Sequence, residues 1–226
     1  MVAASAPGRI CLVGESLDWM IRGESVVATV PLRTTVTVGT SRHGGPVTLR
    51  SGHPLRLTRP LPTSALGTYA GDPLDLLQAT VKVTAPECRP MLPGALVESS
   101  STVPIGAGVS SSAAVTVAAV AALLALGQGT LPDRREVSRR AFTAETEELR
   151  SGAGWMDFLS VAYGGVCVIR PGPCNSALLK LSPAITRLSP RTSVRTSTLP
   201  SPFCRVRAKP DSFSRILAES AAALVE

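Results

Sequence analysis

Aromatic residues and histidines are scarce in this chain of 226 residues. Phe, Trp and Tyr make up only 4% of it and His occurs twice, whereas hydrophobic residues make up 44%. A core of this composition must be built from aliphatic side chains and alanine, and the chain is long enough to bury one. His43 and His53 lie in a polar stretch, which favours solvated loop positions over a metal or acid–base site.

Paired cysteines are also lacking. The five cysteines are odd in number and form no C-x-x-C motif, which argues against a disulfide framework or a zinc site and fits a reducing compartment. No secretory signal is recognisable, because Arg9 and Glu15 interrupt the apolar residues near the N-terminus. The apolar run at 113–126 is short for a membrane span. We therefore expect a cytoplasmic protein that binds no membrane.

Acidic residues are absent from Phe158 to Pro210, a segment with eight Lys and Arg, while the remaining 15 basic and 16 acidic residues nearly cancel. The net charge of +7 therefore belongs to this one segment. After Tyr163 it contains a single aromatic residue, Phe203, so it offers no series of rings on which bases could stack. We expect no nucleic-acid partner. A basic nucleic-acid-binding protein remains an alternative, which salt-sensitive binding of DNA or RNA would reveal.

The most informative stretch is a glycine-rich loop before an apolar helix, at 103–114. Pro104, Gly106 and Gly108 disfavour a regular helix or strand, and after three serines a run of small apolar residues predicts a buried helix that ends at Gly127. A loop of this kind offers free N–H groups and the positive end of the helix dipole to a phosphate. The alternative is an ordinary helix start capped by a serine. The loop contains neither a Walker A motif nor a G-x-S-x-G nucleophile elbow.

Alternation and periodicity outline the remaining elements. Alternating Val and Thr at 26–38 predict a strand with a break or an edge position at Pro31. Asp72 and Pro73 predict the N-cap and first residue of a helix, and Pro86 predicts its end. The other predicted elements are strands at 10–13, 47–57, 94–103 and 166–169, and helices at 132–149 and 155–163.

Two further motifs flank the glycine-rich loop. Residues 6–18, Ala-Pro-Gly-Arg-Ile-Cys-Leu-Val-Gly-Glu-Ser-Leu-Asp, precede it, and Ala144-Glu145 with Ser-Gly-Ala-Gly-Trp-Met-Asp at 151–157 come after it. Together with Pro-Ile-Gly-Ala-Gly-Val-Ser-Ser-Ser-Ala-Ala at 104–114, they resemble the three corresponding motifs of the GHMP kinases, the family of galactokinase, homoserine kinase, mevalonate kinase and phosphomevalonate kinase. The loop is most similar to the galactokinase form. The resemblance implies an α+β fold, a ribosomal protein S5 domain 2-like N-terminal domain with a mixed sheet and packed helices.

The resemblance also implies ATP-dependent phosphorylation of a small-molecule hydroxyl, with a monosaccharide as the favoured substrate. In the family pattern Ser112 and Glu145 ligate Mg²⁺, and Asp157 is the general base, kept ionised by Arg9. From the residues alone, Glu145 could instead be a solvated helix glutamate and Asp157 a helix-start aspartate. The residues implied to bind the ATP phosphates are Pro104, Gly106, Ala107, Gly108, Ser110, Ser111 and Ser112.

The implied substrate contacts are Glu15 and Asp18, which would accept hydrogen bonds from sugar hydroxyls. An aspartate at the position of Asp18 is typical of the family's sugar kinases, whereas mevalonate kinases have an apolar residue there. Ser16 stands where the family usually has His, which leaves the particular sugar open.

The C-terminal part departs from the family pattern. A third glycine-rich motif of the G-x-G-G type and most of the ferredoxin-like second half are not recognisable. We predict a GHMP kinase N-terminal ATP-binding domain at 1–170, a poorly ordered Pro/Ser/Thr/Arg-rich segment at 171–210 and a helix at 211–226. The alternative function is therefore a non-catalytic sugar- or ATP-binding regulator, or an inactive fragment.

Overall fold

The computed structural model describes residues 1–15, 23–41 and 44–170, and the backbone of 178–180. Within them, seven strands form one sheet: β1 Val2–Val13, β2 Ser25–Gly39, β3 Val47–Ser51, β4 Leu57–Leu61, β5 Leu96–Ser101, β6 Val166–Ile169 and β7 Leu178–Lys180. The helices are α1 Asp75–Cys88, α2 Ser111–Gln128, α3 Arg134–Phe142 and α4 Trp155–Tyr163, with a π-helical turn at Thr143–Glu148 and single 3₁₀ turns at Thr63–Ala65 and Arg89–Met91.

The sheet is organised around β2, the long strand rich in Val and Thr. β1 pairs with it antiparallel along most of its length, while β5 pairs with 34–39 and β6 with 25–28 on the opposite edge. Pro31 lies between these two pairings, where the register with β1 also shifts, so its missing N–H interrupts neither ladder. The predicted break is therefore a change of partner within a continuous strand.

The remaining strands make the sheet mixed. β3 pairs antiparallel with β4 and parallel with β5, and the strand order is β4-β3-β5-β2-β6-β7 with β1 on β2. Because helices α1 to α4 come from separate stretches of the chain and are not regular crossovers between parallel strands, the architecture is α+β. This confirms the fold class expected from the sequence.

The core packs around α2, whose side chains are almost wholly small and apolar. This helix contacts α1, α3, β1 and β2, and Ala114, Val120 and Leu124 are fully buried within it. By length and composition alone α2 would qualify as a membrane span, yet 56% of it is buried inside the fold. We interpret α2 as a core helix, since core helices pass the same test.

The start of α1 differs from the prediction. The helix begins at Asp75 and not at Pro73, because Asp72 caps the preceding turn: its carboxylate accepts a hydrogen bond from the Leu74 N–H at 2.7 Å. Pro86 does not end α1 either. Its ring removes one donor near the end of the helix, but the Ala85 carbonyl still accepts from the residue after Cys88.

The end of α2 also differs from the prediction. The helix continues through Gly127 to Gln128, and Gly129, in the left-handed conformation with φ 69°, provides the C-cap. Gly127 instead allows a close crossing with α1. A Cβ added there would lie 2.7 Å from the Glu87 carbonyl oxygen and 2.8 Å from its carbon. Since both neighbours are backbone atoms, only glycine fits.

We predict that Gly127→Ala destabilises the fold by about 1–3 kcal/mol, the usual cost of overpacking a core. The direction of the change in the free energy of unfolding is informative, because in an unconstrained helix Ala is favoured over Gly by about 1 kcal/mol and the substitution would stabilise the protein. Urea unfolding followed by circular dichroism measures the change. Gly39→Ala is the control, since its added Cβ would meet nothing within 4 Å. A Gly127→Ala protein as stable as the wild type would contradict the close crossing.

The segment after residue 170 is described only at β7, whose backbone pairs antiparallel with β6. The rest of the predicted segment 171–210 and the predicted helix at 211–226 lie outside the described residues. The three-part division of the chain therefore stays a prediction.

Candidate functional site

The glycine-rich loop connects the end of β5 to the start of α2. Gly106 and Gly108 adopt left-handed backbone conformations with φ 72° and 70°, and a Cβ on either would meet nothing within 4 Å. The loop is exposed from 104 to 108, directly before an 18-residue helix. The first N–H groups of such a helix have no intrahelical partner. This open face therefore offers several donors and the positive helix end to an anion.

Ser110 makes the turn from the loop into the helix. It adopts the left-handed conformation, with φ 57°, and its side chain makes no capping hydrogen bond. Its hydroxyl oxygen is buried and, among the described residues, has no hydrogen-bond partner. The serine cap considered as the alternative at this helix start is therefore absent for Ser110, and the N–H groups of the first turn stay available.

Arg9 holds this loop against β1. Its backbone N–H donates to the Val109 carbonyl, and Nη1 of its side chain donates to the Gly108 carbonyl, each at 3.0 Å. The preceding Gly8 allows this approach, since a Cβ there would lie 3.0 Å from the Val109 oxygen. Although charged, Arg9 is only 5% exposed.

The same guanidinium pairs with Asp157, at the first turn of α4. Arg9 Nε donates to Asp157 Oδ1 at 2.7 Å, and Nη2 pairs with the same oxygen. Nη2 also lies 3.4 Å from the Glu15 carboxylate, which is 59% exposed. The flanking residues Met156 and Phe158 are buried, which anchors the helix and turns the carboxylate towards β1. Arg9 thus joins the loop and the aspartate.

Glu145 lies on the π-helical turn that comes after α3. The predicted helix start is confirmed: the Asp133 carboxylate accepts from Arg135 and Glu136, but α3 changes to π-helix after Phe142. Such single π turns occur often at functional sites. Glu145 is only 4% exposed, so it is not the solvated glutamate of the alternative interpretation.

The Glu145 carboxylate faces the first turns of α2. Thr116 Oγ1 lies 3.5 Å from its Oε2, and Ser112 also hydrogen-bonds to it. Burial raises the pKa of Glu145, and the Asp157 carboxylate adds to the rise, while the hydrogen bonds from Ser112 and Thr116 oppose it. The groups that favour the charged form are hydroxyls and not cations.

This environment fits a divalent cation. A buried carboxylate beside a hydroxyl and a second carboxylate lacks the positive charge that would stabilise it. Within the part of the chain that the structure describes, no three His, Cys, Asp or Glu side chains converge into a metal cluster. Magnesium commonly takes only one or two protein oxygens and completes its shell with water and phosphate. Ser112 and Glu145 fit that pattern.

A cavity of about 170 Å³ lies beside the glycine-rich loop and the α2 N-terminus. Its walls are mainly apolar. They include Pro54 and Leu55 from the β3–β4 connection, Leu76 and Leu77 from α1, and Ser111 and Ser112 from α2. Because Ile105 of the loop also lines this cavity, a molecule bound in it would lie beside the loop.

The structure brings together the predicted loop, Arg9, Asp157, Ser112 and Glu145. It leaves Glu15 at the exposed edge of the group, and Asp18 lies outside the described residues. Thr116 was not among the site residues predicted from the sequence. A threonine four residues after Ser112 in an otherwise apolar helix could have identified it as a site residue, because that spacing places both side chains on one face of the helix.

The chain is similar to known proteins in sequence and in fold. Residues 75–165 match the family described as GHMP kinases N terminal domain. The galactokinase of Mycobacterium tuberculosis is 32% identical over 170 residues, which cover 72% of this chain and 44% of that protein. The galactokinase of Bos taurus is 37% identical over 147 residues, which cover 62% of this chain and 37% of that protein.

A solved structure shows the same fold. A D-glycero-D-manno-heptose 1-phosphate kinase from Bacteriodes thetaiotaomicron aligns with a TM-score of 0.71 and 18% identity over 80% of this chain and 60% of its own. The chain belongs to the GHMP kinase family and is similar in sequence to the galactokinases. It spans less than half the length of the galactokinases it matches.

We predict that burial of Glu145 makes the metal-free protein less stable as the pH rises. The folded-state pKa lies above the ordinary 4.5, so the folded state binds more protons than the unfolded state between the two values. Stability therefore falls from about pH 4.5 up through the folded-state pKa. Glu145→Gln should remove this loss and unfold at a higher temperature than the wild type at pH 7, but not at pH 4.

Thermal unfolding in EDTA at several pH values measures the difference. Glu147→Gln is the matched control, since Glu147 is exposed on the same turn. A wild type that matches Glu145→Gln in stability at pH 7 would contradict the unfavourable burial of this carboxylate.

Proposed function

We propose that the chain carries the nucleotide-binding and phosphoryl-transfer site of an ATP-dependent kinase that acts on a hydroxyl of a monosaccharide. The observation that carries the proposal is the convergence at the α2 N-terminus. There the glycine-rich loop, the Ser112–Glu145 pair and the Arg9–Asp157 pair come from distant parts of the chain to one place. Phosphoryl transfer needs these three parts: a phosphate cradle, a cation site and a group that accepts the hydroxyl proton.

The loop and the α2 N-terminus would bind the ATP phosphates. Their N–H groups donate to phosphate oxygens, and the helix dipole favours the negative charge. The adjoining apolar cavity suits the adenine ring, because Ser111 and Ser112 lie both on the cavity wall and in the first turn of α2. Ser112 and Glu145 would hold Mg²⁺, which when bound neutralises charge on the phosphates.

Asp157 would act as the general base. Arg9 bonds to Oδ1 of Asp157, and the carboxylate held in this way would accept the proton of the substrate hydroxyl. The guanidinium favours the ionised carboxylate and fixes its orientation. Arg9 also bonds to the Gly108 carbonyl, and through this bond it would keep the Asp157 base at a constant distance from the glycine-rich loop.

The sugar is the finer part of the proposal. Similarity to galactokinases supports galactose or a related monosaccharide, and Glu15, at the exposed edge of the site, would accept hydrogen bonds from its hydroxyls. We also propose that Asp18 accepts hydrogen bonds from the sugar hydroxyls. We propose a cytoplasmic location for the protein. The alternative function is a non-catalytic sugar- or ATP-binding regulator.

A coupled assay for ADP release tests the proposal. The purified chain is incubated with Mg²⁺–ATP and each of a panel of monosaccharides, with mevalonate as the family's non-sugar acceptor. We expect sugar-dependent ADP formation, strongest with galactose-like sugars. ATP binding without ADP formation from any acceptor would favour the regulator, and absence of ATP binding would contradict the proposed function.

We predict that Asp157→Asn abolishes phosphoryl transfer while ATP affinity stays within a few-fold of the wild type. Loss of a general base typically costs about 10²–10⁴-fold in rate, whereas the amide oxygen of asparagine can still accept from Arg9 and leave the loop in place. Single-turnover transfer and equilibrium ATP binding measure the two effects separately. The control is Asp133→Asn, since Asp133 caps α3 away from the site. Retained turnover in Asp157→Asn would rule out the base.

A further inference from the structure

The π-helical turn that carries Glu145 also carries Glu148, three residues further on and facing another part of the fold. Glu148 accepts a hydrogen bond from the Tyr69 hydroxyl at 2.9 Å and pairs with the Lys82 ammonium through the same oxygen. Lys82 also lies over the Tyr69 ring, 6.0 Å from its centroid. We call these three residues the Glu148 cluster.

The partners of Glu148 are themselves fixed to α1. Lys82 is part of α1, and the segment around Tyr69 is bound to the same helix by side chains one and two turns earlier. Gln78 Nε2 donates to the Thr68 carbonyl at 2.9 Å, and the Asp75 carboxylate accepts from the backbone N–H groups of residues 70 and 71. Burial and the bond to Glu148 raise the pKa of Tyr69, so the phenol stays a donor.

The π turn therefore spans two helices. Through Glu148 it is attached to α1, and through Glu145 it contacts Ser112 and Thr116 of α2. A π turn inserts one extra residue, which rotates the residues after it by about 100° relative to an α-helix. Because π turns are rare and unfavourable by themselves, contacts outside the turn must select this register.

We propose that Tyr69 and Lys82 are positioning residues that, through Glu148, hold the π turn in the register that directs the Glu145 carboxylate at the cation site. The inference rests on the proposed function, since it takes Glu145 as a magnesium ligand. It adds that the affinity for the cation depends on a cluster that is attached to α1 and does not line the apolar cavity. Neither Tyr69 nor Lys82 touches the reacting groups.

The test measures ATP affinity by calorimetry with excess Mg²⁺ and with EDTA, for the wild type and for variants of the cluster. Glu148→Ala should reduce the magnesium-dependent gain in affinity by about three- to tenfold, at or below the usual loss for residues that orient metal ligands. The affinity in EDTA should stay within about twofold, because the loop is untouched. Glu147→Ala, on the exposed side of the same turn, should change neither value.

Glu148→Gln separates position from charge. Its amide oxygen can still accept from Tyr69 and Lys82, so a positioning role predicts that Gln restores most of the magnesium-dependent gain. If the negative charge of Glu148 acted on the cation directly, Gln would be as defective as Ala, which would overturn the proposal. If Glu148→Ala does not fold, the double variant Tyr69→Phe/Lys82→Met removes both donors and is measured in the same way.

The outcomes distinguish this inference from the proposed function. A wild type that binds no ATP overturns the proposed function and this inference with it. A wild type whose affinity rises with Mg²⁺, beside cluster variants whose affinity rises equally, overturns only the role of the cluster. An equal loss of affinity with and without Mg²⁺ also overturns it, because the effect would then be a general weakening of the fold.

Discussion

The buried guanidinium of Arg9 is the interaction on which the site depends. It lies on β1, is only 5% exposed, and bonds both to the Gly108 carbonyl of the loop and to the Asp157 carboxylate of α4. A buried guanidinium must keep its hydrogen-bond partners, so the groups that it bonds are held in place relative to it. The position of the loop and the position of the aspartate are therefore not independent. They lie 99 and 148 residues further along the chain, yet one side chain fixes both.

Several unfavourable features collect around this point. Ser110 is a non-glycine residue in a left-handed conformation, Glu145 is a carboxylate that is only 4% exposed, and the turn that carries it is π-helical. Each costs stability, and such features persist where the surrounding structure over-determines them, commonly at functional sites. The aliphatic core around α2 and the close crossing at Gly127 supply that surrounding rigidity.

The sequence predicted the parts of the site that depend on local chemistry. Glycine permits the left-handed backbone that the loop adopts, and Asp133 caps its helix as predicted. Helix α4 and strand β6 also have the bounds that the sequence pattern predicted. The features that it could not predict depend on tertiary contact. Pro86 is accommodated near the end of α1, and Gly127 stays helical because a neighbouring carbonyl leaves no room for a side chain. The residues of the π turn carry no sequence pattern that predicts it, because the contacts that hold it come from Tyr69 and Lys82, which lie much earlier in the chain.

The most direct test of the account is the affinity of Arg9→Lys for Mg²⁺–ATP, with thermal unfolding recorded alongside. Lysine keeps a positive charge for Asp157, but one ammonium cannot also replace the guanidinium bond to the Gly108 carbonyl. Hydrogen bonds that involve a charged group contribute about 1.5–3 kcal/mol, so the account predicts a loss of affinity of about tenfold or more in a protein that remains folded. A folded Arg9→Lys variant that binds Mg²⁺–ATP as tightly as the wild type would contradict it.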